Sequence, residues 1–211
     1  MASVIPMVMG ASGNPERMQP GDAAALGSGG TGATTATAAA QNLLQAWEKI
    51  SDATYSSAAA APFTGLSAYR MIRGYGRLIP ATNSVVLGLR LSSNNGSSYD
   101  STSSRYTWTY NYSAEGLTGQ IASSTDSTRF YFFSTISSTD GCWFNFVLSD
   151  FNQAAICGIN WQFNGRRAST SNSQQGNGGG WYNQTTARDA FQIAFSSGNI
   201  ASGHIVVEGL I

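Results

Sequence analysis

From about residue 66 onward, apolar side chains recur at every second position, a period that fits β-strand and little else. Val85, Leu87, Leu89 and Leu91 oppose Gly88 and Arg90, while Cys142, Phe144, Phe146 and Leu148 oppose Asn145 and Ser149. Cys157, Ile159, Trp161 and Phe163 oppose Asn160 and Gln162, and Phe191, Ile193 and Phe195 oppose Gln192. The spacing predicts strands over 67–73, 84–91, 104–112, 128–135, 142–149, 155–163, 190–196 and 203–208, parted by turn signals such as Asn94-Asn95-Gly96 and Asp140-Gly141. Short strands without an intervening helix predict a mainly β domain over 63–211, a jelly-roll-like antiparallel β-sandwich. An immunoglobulin-like arrangement is the alternative, without its Cys…Trp…Cys signature.

The first third reads differently. Residues 1–35 carry the breakers Pro6, Gly10, Gly13, Pro15, Pro20 and Gly21, and hold too little apolar surface to fold alone. They predict an extended arm that orders on a partner, with Val4, Ile5, Met7, Val8 and Met9 as the cluster to bury. Residues 36–51 predict the one helix, capped by Thr35 or Thr37. Ala40, Leu43, Trp47 and Ile50 form its a/d-like stripe, which would pack either on the domain or in a short trimeric bundle. Ser56 to Pro62 then reads as a linker, so that 36–62 joins arm to domain.

Composition narrows the chemistry. Charged residues are 10% of the chain and the formal net charge is +0, which argues against nucleic acid, where a basic patch would supply most of the affinity. No apolar stretch reaches the roughly 20 residues of a membrane helix, and the N-terminus shows no secretory signal pattern. Pairing Ser149 with Ala155 in a hairpin sets Cys157 opposite Val147 and Cys142 roughly 17 Å away, which predicts two buried thiols in a chain folded in a reducing cytoplasm. His204 is the sole histidine, so neither a Ser-His-Asp set nor a zinc site is expected, and the carboxylates show no glycosidase pairing. No enzyme activity, metal or cofactor is therefore expected.

Binding is the expectation that remains. Asn164 to Asn183 is the longest stretch without periodicity in the domain, and its Gly176-Asn-Gly-Gly-Gly180 run reads as a flexible loop. Asn172, Gln174 and Gln175 with Trp181 and Tyr182 suit either a sugar, whose hydroxyls amides can fix, or a subunit interface. Trp143, out of phase with its strand's core residues, is a second exposed-aromatic candidate, or is buried between subunits if the domain is trimeric. Tyr106, Trp108, Tyr110 and Tyr112 share one face and read as core.

Several segments resemble tailed-bacteriophage fibre proteins. Gly29-Gly-Thr-Gly-Ala-Thr-Thr-Ala36 resembles an element that recurs in tail fibres, and Asn14 to Asp22 resembles a segment near fibre N-termini. Leu78 to Asn83, Leu89 to Ser92, Asn94-Asn-Gly96 and the closing Gly203 to Ile211 resemble a β-sandwich module of phage structural proteins. The resemblance implies a virion protein made in a bacterial cytoplasm: a homotrimer whose arm docks on another virion protein and whose distal domain meets a host glycan or protein. The shortness of the chain leaves open a short tail fibre, a head fibre or a capsid decoration protein acting as cement. A carbohydrate-binding module is a further alternative.

Overall fold

The computed structural model describes residues 7–9, 15–17, 47–114, 117–170 and 172–211. The chain divides into two units, Met1–Ala46 and Trp47–Ile211. In the first, strand β1 (Met7–Met9) pairs antiparallel with β2 (Pro15–Arg17), Val8 opposite Glu16. Val4 and Ile5 of the expected anchoring cluster lie outside the described residues, as do Ala40 and Leu43 of the expected helix.

The second unit is all strand and turn, with no helix among the described residues. Its strands are β3 (Glu48–Ala58), β4 (Ala61–Phe63), β5 (Met71–Pro80), β6 (Val85–Ser92), β7 (Tyr106–Ala114), β8 (Leu117–Ser127), β9 (Phe130–Ile136), β10 (Cys142–Ser149), β11 (Cys157–Arg166), β12 (Ser173–Tyr182), β13 (Ala190–Phe195) and β14 (Ile200–Leu210). One sheet runs β3-β14-β5-β10-β11-β12-β7-β8 and the other β4-β13-β6-β9, every pairing antiparallel. Four of these pairings are nested in sequence: β3 with β14, β4 with β13, β5 with β10 and β6 with β9. Strands β7, β8, β11 and β12 widen the larger sheet beyond β10.

The two inner faces supply the core of a β-sandwich. Rings meet in pairs across it: Phe132 on Trp161 at 5.5 Å, Phe133 on Phe163 at 4.9 Å, Phe191 against Phe146 at 5.7 Å and Phe130 against Tyr106 at 5.0 Å. Tyr106, Trp108 and Tyr110 are buried as their shared face implies, with Tyr112 partly so. Cys142 and Cys157 are free buried thiols.

Three expectations are corrected. Helix is not continued through 48–51, because β14 sits between β5 and β3 and takes its outer row of hydrogen bonds from Glu48–Ala58. Serines, threonine and Tyr55 in that segment suit a strand better than a helix. Trp47 lies under the Arg73 guanidinium, 4.5 Å from its ring centroid, and Ile50 packs against the core, so neither offers a bundle seam.

The stretch 56–62 is not a linker either. Ala58 pairs with Ile200, Ala61 is buried, and Phe63 stacks on Phe191 at 4.8 Å.

The 142–163 hairpin pairs Ser149 with Gly158, three residues beyond the expected Ala155. The turn must be longer because Phe151 is a core residue, tied by its N–H to the Arg70 carbonyl and by its carbonyl to the Arg188 N–H. Arg188, 1% exposed, fastens the turn by donating to the carbonyls of Asp150, Ala155, Gln184 and Thr186.

Candidate functional site

The expected loop at 164–183 is mostly strand. Gly176, Gly178 and Gly180 face inward on β12, where added Cβ atoms would collide with the strands on either side. At Gly178 a Cβ would meet the Trp161 indole and lie 2.6 Å from the Tyr110 Cβ; at Gly176 it would lie 2.6 Å from the Phe163 Cζ. With no side chains between them, Tyr110 of β7 and Phe163 of β11 meet across β12 edge to face, centroids 5.7 Å apart. The glycines are therefore spaces filled by neighbouring rings, and the run is ordered by packing it does not itself supply.

This placement sorts the expected site residues by face. Gln174 and Tyr182 point inward: Gln174 is 2% exposed, and its amide oxygen has no protein hydrogen-bond partner among the described residues. The Tyr182 hydroxyl donates to Asp100 Oδ2 at 2.5 Å. Burial pushes the Tyr182 phenol up, and the hydrogen bond to Asp100 adds to it. Burial alone would raise the Asp100 carboxyl, but hydrogen bonds from Tyr182 and Thr102 and the Arg105 guanidinium hold it below its ordinary value. Asn172 precedes β12, its carbonyl accepting from the Arg167 N–H at 2.9 Å. Gln175 and Trp181 point outward, as does Trp143 on β10, the two tryptophans 50% and 49% exposed. The register puts the tryptophans near opposite ends of the face, about 20 Å apart by strand rise.

Between them the outer face is built from amides. The pairing aligns Tyr75, Asn145, Gln162, Asn177, Asn111 and Ile121 in one row across six strands, each exposed. Beside it run Trp143-Asn164-Gln175-Ser113 on one side and Val147-Asn160-Gly179-Thr109 on the other. Asn145 Nδ2 donates to Gln162 Oε1 at 3.2 Å. Among the described residues, the side chains of Asn111, Asn160, Asn164, Gln175 and Asn177 have no hydrogen-bond partner in the protein. Three shallow depressions of about 460, 370 and 320 Å³ lie along the rows. Outward positions of β10, β11, β12 and β7 carry no charged side chain except Arg166 at the end of β11, which pairs with Asp140 at 3.2 Å.

The same sheet turns charged at β5. Arg77 stacks on Trp143, 4.5 Å from the ring centroid, and donates to the Asp140 carbonyl. Arg73 pairs with Glu208 at 2.5 Å, and His204 Nε2 meets Asp52 Oδ1 at 2.6 Å, with Lys49 Nζ on Asp52 Oδ2 at 3.1 Å. The His204 hydrogen bond, followed by that from Lys49, holds the Asp52 carboxyl below its ordinary value. Among the described residues no group of three or more His, Cys, Asp or Glu side chains forms a metal site. Burial pushes the Cys157 thiol up to about 12 and raises Cys142 as well, the setting of unreactive thiols.

The sequence named Trp143, Gln175 and Trp181 but passed over Asn111, Asn145, Asn160, Gln162 and Asn177 as a group. The available signal was that amides recur at the out-of-phase positions of successive strands. No family model matches the chain, nor does any curated protein or solved structure.

Proposed function

We propose that the chain is a virion structural protein, a homotrimeric fibre anchored by its N-terminal arm that presents the β-sandwich for attachment to host-surface glycan. The observation that carries the reading is the uncharged amide face, whose free donors and acceptors match a neutral, hydroxyl-rich partner and repel neither sign of charge. The segments Asn14 to Asp22 and Gly29 to Ala36, similar to those of phage fibres, support the virion half of the reading.

The strand order supports a jelly-roll reading of the sandwich. Numbering the nested strands β3, β4, β5, β6, β9, β10, β13 and β14 from 1 to 8 gives sheet orders 1-8-3-6 and 2-7-4-5, the order produced when one long antiparallel ribbon is wrapped on itself. That wrapping recurs in capsid and lectin domains.

Two measurements test the reading. Purified full-length chain should bind cells of the host and run in solution at three times its monomer mass. An antibody to the domain should label tail or head fibres of the particle. Labelling spread over the whole capsid shell, with no cell binding, would replace attachment by a decoration role, and a monomer mass would remove the trimer.

A further inference from the structure

Resting on the attachment reading, we infer that the amide face binds a linear, neutral oligosaccharide laid across the strands, along the row from Asn145 to Asn111. Four neighbouring strands each contribute one exposed amide to that row: Asn145, Gln162, Asn177 and Asn111. At the inter-strand spacing the row is about 14 Å long, with one amide every 4.8 Å or so. A pyranose unit in an extended chain advances by nearly the same length, so successive units meet successive amides. An amide has two donors and an acceptor with two lone pairs, which suits vicinal hydroxyls that are donor and acceptor at once. The Asn145–Gln162 hydrogen bond uses one donor of the first and one lone pair of the second and leaves the rest of both amides available.

The ends of the row fit the same ligand. Tyr75, 45% exposed, stands at one end beside Trp143, whose ring is held by the Arg77 guanidinium 4.5 Å from its centroid. A tryptophan fixed in this way supplies a preorganised apolar plate for the C–H face of a sugar ring. The remaining end is closed by Ile121, 75% exposed.

Charge selects the class of glycan. The outward cations nearest the row are occupied: Arg77 by the Trp143 ring and the Asp140 carbonyl, Arg73 by Glu208. Nothing on the row itself compensates a carboxylate or sulfate, so an acidic sugar would lose its hydration there without a counter-charge. Nucleic acid is disfavoured for the same reason. The platform is also stiff, because all four strands lie inside the sheet with partners on both sides.

The test uses full-length chain against linear neutral oligosaccharides of two to six units and their sialylated or sulfated counterparts, read by calorimetry and by tryptophan fluorescence. Affinity should rise with length up to about four units and then level, and the acidic counterparts should bind no better than the neutral ones. Asn177→Ala with Asn111→Ala should weaken binding at least tenfold while leaving the melting temperature and the mass in solution unchanged. Trp143→Phe should lessen the fluorescence response. Unchanged binding in the double variant, or a preference for the acidic series, would overturn the row as the site while leaving attachment standing. So would a change in mass, which would make the face a contact between copies. Cell attachment without any binding to the neutral series would also overturn the inference alone; loss of cell attachment by the unmodified chain would take the attachment reading with it.

Discussion

Strands β11 and β12 lie side by side in one sheet and solve the same packing problem in opposite ways. Strand β11 fills the core with its own Ile159, Trp161 and Phe163, whereas β12 presents Gly176, Gly178 and Gly180 at the equivalent positions and lets the rings of β11 and β7 close over it. A strand is therefore not required to carry its own core residues if its neighbours are large enough. The outer faces of the two strands are alike in kind, with Asn160, Gln162 and Asn164 on one and Gln175 and Asn177 on the other.

Removing the ring that both strands share should cost most. Trp161→Ala deletes the side chain that covers β12 and the hydrogen bond from its Nε1 to the Phe132 carbonyl, and should lower stability by about 3–5 kcal/mol in denaturant titration. Gly178→Ala comes next, at about 1–3 kcal/mol by overpacking. Its cost should shrink in the Trp161→Ala background, because the indole is one of the two groups the new methyl meets; an additive pair would show that β12 is not packed by its neighbours.

At the end of β12, Tyr182→Phe should cost about 1 kcal/mol by losing the bond to Asp100. That increment is pH-dependent. The carboxyl is held below its unfolded value, so the stabilisation is fully present above the ordinary carboxylate range and fades as the pH falls through the folded value. Asp100→Asn should flatten that acid limb, and an unchanged acid profile would remove Asp100 from the account. The smallest effect is expected at Gly179→Ala, within about 0.5 kcal/mol, since its Cβ would point outward, meeting the end of the exposed Asn160 side chain at 3.1 Å and the Ile159 carbonyl oxygen at an ordinary 3.4 Å. Neighbouring glycines with such different costs would place the two faces of β12 directly.

The same contrast explains what could be read from the residues alone. Strands β6, β10, β11 and β13 announced themselves because each carries its own alternating apolar set. Strand β12 did not, since the groups that make it a strand belong to residues 50 positions or more away, or to the preceding strand. The start of strand β3, 48–51, was read as helix and its end, 56–58, as linker for a related reason: its partner β14 lies far away in the sequence. The amide row was half visible. Alternation put Asn145, Asn160 and Gln162 on the outside, but only the register between β10, β11, β12 and β7 lines them up with Asn177 and Asn111.

The nesting of β3 with β14 also bears on how the chain is made. Within the larger sheet, β14 comes latest in sequence and fits between β3 and β5, the two strands that come earliest. Until Leu210 has been added, both early strands keep a bare edge facing the gap, able to pair with another nascent chain. Completion of the larger sheet thus waits on its latest strand, and a chain interrupted before β14 would be an unclosed and sticky intermediate.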